Sequence, residues 1–185
     1  MNRREALSSL TVLFGTTIIG AEAFLSGCSN KGSSVASDFI SDDQVFLLNE
    51  IGEVIIPATE TSPGAQAANV GLFMRDMVRD CYSGEEQKIF LDGLEQINSD
   101  ANKQFEGDFI ELNIENKTAL LMYYENDASV QSNMKHFYKM YKQLTVWGYF
   151  TSEPGATQAL NYVAVPGRYE ACIPLKPDQK AWANP

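Results

Sequence analysis

A single imidazole, His136, sits between Lys135 and Phe137 in a helical stretch, with no second histidine anywhere in the chain. A transition-metal site needs several nitrogen or sulfur ligands and a catalytic base needs a partner to orient it, so His136 reads as a structural or surface residue. Carboxylates occur in adjacent pairs, Asp42 with Asp43 and Glu85 with Glu86, which is the raw material of acid/base chemistry. Both pairs fall in first helical turns, where negative charge favours the positive end of the helix dipole. The tyrosines Tyr123, Tyr124, Tyr138 and Tyr141 have the rings to stack on sugars, yet their spacing is that of a buried helical face. There is no GxGxxG, no P-loop and no C-x-x-C-H haem attachment motif. Flavin, nicotinamide, nucleotide and c-type haem sites therefore have no visible support within this chain.

The 185 residues carry 14 Lys plus Arg against 24 Asp plus Glu, a formal charge of -10, and are 44% hydrophobic. That length and apolar content suffice for one domain with a real core. The acidity argues against a protein that holds nucleic acid by its phosphates or lies on anionic lipid through a basic face.

The N-terminus reads as an address. Met1 to Leu7 is positively charged, Ser8 to Leu25 is mildly apolar, and Leu25-Ser26-Gly27-Cys28 closes the stretch. These are the three parts of an export signal over residues 1–27. Ser8, Ser9, Thr11, Thr16, Thr17 and Glu22 make the stretch too polar for a spanning helix. Arg3 and Arg4 before a mild apolar region resemble a twin-arginine signal, although Asn2 and Ala6 depart from the usual flanking residues and leave the general secretory route open. L-S-G-C resembles a bacterial lipobox, which would make Cys28 the lipidated first residue of the mature protein. The Ser/Gly-rich run that follows, within residues 28–40, reads as a flexible tether.

From Ser41 onward the pattern is helical. Ser41 with Gln44 forms a capping box, and Val45, Leu48, Ile51, Val54 and Ile55 mark an apolar face that stops before Pro57. Thr59 to Gly64 is a loop. A second helix carries Val70, Phe73, Met74, Met77, Val78 and Cys81. A third is capped by Ser83 with Glu86 and carries Ile89, Phe90, Leu94 and Ile97. A fourth runs from about Glu115 to Asn126. The fifth spans about Ser129 to Phe150, with Met134, Phe137, Tyr138, Tyr141, Leu144 and Trp147 on one side. The fold class is thus all-α, an irregular bundle of about five helices over residues 41–185 with an extended C-terminal tail.

After Thr151 the periodicity fails at Pro154, Gly155, Pro166, Gly167, Pro174, Pro177 and Pro185. The tail still contains Tyr162, Tyr169 and Trp182, too much apolar surface for a solvated linker, so it must lie on its own bundle or on a partner. With Cys28 lipidated, Cys81 and Cys172 remain in an oxidising compartment. An even pair there suggests a disulfide between the second helix and the tail, or a bond from one of them to a partner subunit.

Several blocks together resemble the gluconate 2-dehydrogenase subunit 3 family. They are L-L-N-E-I-G-E-V-I-I-P-A-T-E-T-S-P-G-A from Leu47, V-G-L-F-M-R-D-M-V-R-D-C-Y from Val70, W-G-Y-F-T-S-E-P-G from Trp147, and V-P-G-R-Y from Val165. The resemblance implies a non-catalytic small subunit of a periplasmic or membrane-bound sugar dehydrogenase. In such complexes a separate flavoprotein of the glucose-methanol-choline class holds FAD and substrate, and a cytochrome c with its haem often accepts the electrons. It implies a partner interface built from Trp147, Tyr149, Tyr162, Pro166, Gly167, Arg168, Tyr169 and Trp182. Arg168 has the guanidinium for charge-assisted bonds to such a partner, or is an ordinary surface arginine. A small subunit that supplies the export signal while the flavoprotein travels bound to it would explain a twin-arginine leader on a chain without a cofactor motif. The other readings open to the residues are a free-standing lipoprotein that binds saccharide through its tyrosines, and an enzyme using tyrosine and carboxylate groups.

Overall fold

Ser41 opens the first helix, α1 (Asp42–Ile55), by local chemistry alone. Its hydroxyl accepts from the Gln44 N–H while the Gln44 side-chain oxygen accepts from the Ser41 N–H, so two donors that a helix start leaves unpaired are satisfied reciprocally. Ile40 before the cap and Val45 after it are both buried, the placement of a hydrophobic staple. Ile40 therefore belongs to the bundle, which corrects its place at the end of the tether. A computed structural model describes residues 39–165, 167, 172 and 174–183. Among these residues there is no strand beyond two isolated bridges, and no helix is long and apolar enough to cross a membrane.

Pro57 has no N–H to extend α1 and pushes Ile56 out of helical geometry, so the helix stops where the sequence says it should. The second helix, α2 (Val70–Cys81), has no cap from its own chain end, because Asn69 stands in the left-handed region at φ 50°. A tertiary contact replaces it: the buried Asn49 side chain of α1 accepts from the Gly71 N–H at 2.8 Å. The third helix, α3 (Gly84–Phe105), begins on the Ser83 and Glu86 capping box. A 3-10 turn at Phe109–Glu111 then plugs Phe109 into the core before α4 (Ile114–Asn126), which is capped by the Asn113 side chain.

The fifth helix, α5 (Ser132–Thr151), is the axis of the bundle and packs on all four others. It starts three residues later than the periodicity suggests. Ser129 is held instead by Asp127, whose carboxylate accepts from both the Ser129 N–H at 2.7 Å and its hydroxyl at 2.6 Å. Phe137 of α5 meets Phe90 of α3 edge-on at 5.3 Å, and Tyr138 tilts against Tyr124 of α4 at 6.1 Å. Tyr141 is fully buried and donates to the Leu48 carbonyl of α1 at 2.5 Å. Burying each such ring in place of leaving it wet is worth about 1.5–3 kcal/mol, and the hydroxyls of Tyr124 and Tyr141 lose little because each donates to an oxygen of the protein.

Beyond α5 the chain makes a π-helical turn, Gly155–Ala159, and then doubles back. Residues 181–183 run beside Asn161, which donates to the Ala181 carbonyl at 2.8 Å and accepts from the Ala183 N–H at 3.0 Å. The end of the tail is thereby pinned to its own turn.

Candidate partner-binding face

Two sequence blocks far apart in the chain are built into one structure. The loop after α1 is wound around the Glu53 carboxylate, one oxygen accepting from Ala58 N–H at 2.8 Å and the other from Gln66 N–H at 2.9 Å. Gly64 makes this possible: a Cβ at that position would stand 2.1 Å from the Glu53 oxygen. The same loop receives Tyr149 from the last turns of α5. Its hydroxyl donates to the Pro63 carbonyl at 2.6 Å and lies 2.6 Å from the Ser62 hydroxyl.

Tyr149 is therefore not available to a partner. It is only 2% exposed, which corrects its assignment to an intermolecular interface. Trp147 is displaced in the opposite sense. The spacing set it on the buried side of α5, but that side is taken by Gly148, against which Phe73 of α2 packs, and the indole is left 48% exposed. Tyr162 and Trp182 are also about half exposed, at 49% and 47%. Gly167 is exposed and holds φ 71°, a left-handed conformation that suits glycine. Arg3, Arg4, Cys28, Pro166, Arg168 and Tyr169 lie outside the described residues. Cys81 and Cys172 are both exposed and free, so the structure does not make the disulfide between them.

Trp147 does not stand alone. Val146 and Phe150 flank it on the outer side of α5, and a shallow depression of about 300 Å³ there is lined by Lys139, Lys142, Gln143, Val146 and Trp147. A second hollow of about 760 Å³ lies under the returning tail, between Thr157, Asn161, Lys176, Asp178 and Trp182. Val146 and Phe150 escaped the sequence reading, although the steps of three from Trp147 to Phe150 and of four from Val146 to Phe150 put all three on one side of a helix. Glu53 escaped it as well, and no local spacing marks a carboxylate whose partners lie in a loop that folds back.

The tyrosines do not form a platform for sugar. Tyr124, Tyr138 and Tyr141 are buried, with Tyr124 donating to the Asp100 carboxylate at 3.0 Å. Burial, aided by the Glu125 charge, pushes the Tyr138 phenol up to about 12. Burial also raises Tyr124, together with the adjacent Asp100 charge, and Tyr141. Among the described residues no group of three or more His, Cys, Asp or Glu side chains could hold a metal ion. His136 is exposed on α5. The paired carboxylates serve as helix starts: Glu86 completes the capping box, and its hydrogen bonds from Ser83 hold it below its ordinary value. Asp42 ion-pairs with Arg75 at 3.3 Å. The half-buried Lys117–Glu50 pair at 3.0 Å ties α4 to α1.

The described part is thus an all-α bundle whose exposed features are apolar side chains more than convergent polar groups. The model of the family described as gluconate 2-dehydrogenase subunit 3 matches residues 42–167, and the chain belongs to that family. That description sets it beside the other subunits of a dehydrogenase, as an accessory component. No curated protein and no solved structure matches the chain.

Proposed function

We propose that this chain is the non-catalytic small subunit of a periplasmic, membrane-associated sugar dehydrogenase of the gluconate or glucoside type. A glucose-methanol-choline-type flavoprotein carries FAD and the substrate site, and a cytochrome c takes the electrons. The chain assists export and assembly: Arg3 and Arg4 address the folded pair to the twin-arginine route, and Cys28 anchors it to the membrane through lipid.

The observation that carries this reading is the exposure of large apolar side chains on an otherwise well-packed bundle. Trp147, Phe150, Tyr162 and Trp182 stand out of a fold whose core is already closed, which is the mark of surface kept for a protein partner. The family description supplies the kind of partner.

Deleting the chain from its host tests the export role. The flavoprotein should then stay in the cytoplasm, and a chain with Arg3 and Arg4 both replaced by Lys should fail to restore it, because the charge is kept while the arginine pair is lost. Normal delivery of the flavoprotein to the periplasm in either strain would overturn the role.

A further inference from the structure

In a chain of formal charge -10, α5 carries Lys135, His136, Lys139 and Lys142 and no Asp or Glu at all. The lysines and the exposed apolar residues share one side of that helix. Positions 135, 139, 142, 143, 146, 147 and 150 follow one another at helical steps of three and four, and all are exposed except the half-buried Lys142. The opposite side, with Phe137, Tyr141, Leu144 and Gly148, is buried in the bundle. Lys142 is engaged by Glu125 of α4 at 2.5 Å, whereas Lys135 and Lys139 make no ion pair among the described residues. The face is therefore graded, cationic toward the start of α5 and aromatic toward its end, with Lys139 and Trp147 lining the same depression.

We propose that this face of α5 docks on a protein surface that offers an apolar socket for the Trp147 indole, rimmed on the Lys139 side by Asp or Glu carboxylates. Resting on the accessory-subunit reading, that surface belongs to the flavoprotein. A buried indole supplies the central anchor of such a contact, and charges at its rim set encounter rate and orientation. An anionic lipid surface fits less well. It would repel a protein of this acidity, and the apolar end of the face holds only Val146, Trp147 and Phe150.

Binding of the isolated flavoprotein to the full chain tests this, with affinity followed against salt for wild type, Trp147→Ala, Lys139→Glu and the control Lys88→Glu on α3. Trp147→Ala should weaken binding roughly tenfold or more, as central aromatic anchors do. Lys139→Glu should slow association and flatten the salt dependence, while Lys88→Glu leaves both unchanged. If Trp147→Ala lowers the unfolding temperature, Lys139→Glu decides, since Lys139 is exposed. Equal binding by wild type, Trp147→Ala and Lys139→Glu overturns the docking face and leaves the partner reading standing. No binding by the wild-type chain overturns the partner reading, and the docking face with it. Sedimentation with phosphatidylglycerol vesicles that depends on Lys139, with flavoprotein binding unchanged, would make the face a lipid contact and overturn the proposal.

Discussion

The hydroxyl of Tyr149 donates to the carbonyl of Pro63 at 2.6 Å, joining positions 86 residues apart in the chain. One residue belongs to the W-G-Y-F-T-S-E-P-G block at the end of α5 and the other to the I-I-P-A-T-E-T-S-P-G-A loop after α1. The two most specific blocks of the sequence thus meet in one place and hold each other. Their role is to fix the end of α5, and with it the orientation of Trp147 on the outer side.

Tyr149→Phe keeps the ring and removes the donor. The Pro63 carbonyl and the Ser62 hydroxyl then lose a partner in a half-buried site, at a cost of about 1–2 kcal/mol. Thermal unfolding should fall by roughly 3–6 °C, with partner binding at most slightly reduced. Lost binding with unchanged stability would mean that Tyr149 touches the partner after all.

The Glu53 loop gives a sharper test because Gly64 leaves room only for hydrogen. Gly64→Ala should displace the carboxylate from the Ala58 and Gln66 N–H groups and cost about 1–3 kcal/mol. Glu53→Ala should destabilise by a similar amount, and in that background the Gly64→Ala penalty should largely vanish, since the clash has no second party. Additive losses in a double-mutant cycle of denaturation midpoints would contradict the arrangement.

Which parts of this were legible in the sequence follows from how local the cause is. The Ser41–Gln44 and Ser83–Glu86 boxes are closed within three residues, so both helix starts could be read directly. Cause at a distance was not readable. The start of α2 depends on Asn49, that of α5 on what Asp127 does with Ser129, and the 3-10 turn at Phe109 on a core assembled from other elements. The placing of Trp147 on the buried stripe has a physical origin, whereas Tyr149 entered the interface only through the family resemblance. Gly148 supplies no side chain to mark the buried face, yet Phe73 packs there, and it shifts the stripe by one residue. Steps of three and four from Tyr141 through Leu144, Thr145, Gly148 and Tyr149 would have placed both correctly.

Alkaline titration tests the tyrosine core. Folding raises the Tyr138, Tyr124 and Tyr141 phenols above their unfolded value near ~10, so it favours their neutral forms. That stability is whole below about pH 10 and is lost as pH climbs toward and past 12. Phenolate absorbance from Tyr124, Tyr138 and Tyr141 should appear only as helical circular dichroism collapses. Ionisation of these three near ~10 with the helices intact would contradict the burial.

The thiols make a chemical test of the tail. With Cys81 and Cys172 both free and exposed, each should react with maleimide in the native, non-reduced protein. A peptide joining Cys81 to Cys172 in non-reducing mass spectrometry would contradict this and restore a covalent tie between α2 and the tail.

The central claim is that chemistry and docking reside in different chains. Purification of the tagged full chain from its own host, followed by separation of the subunits, measures this directly. A stoichiometric complex with a flavoprotein is expected, with flavin absorbance and dye-linked sugar oxidation both following that partner and neither following the isolated small subunit. Flavin or dehydrogenase activity retained by the isolated chain, or a chain that emerges with no flavoprotein at all, would contradict it.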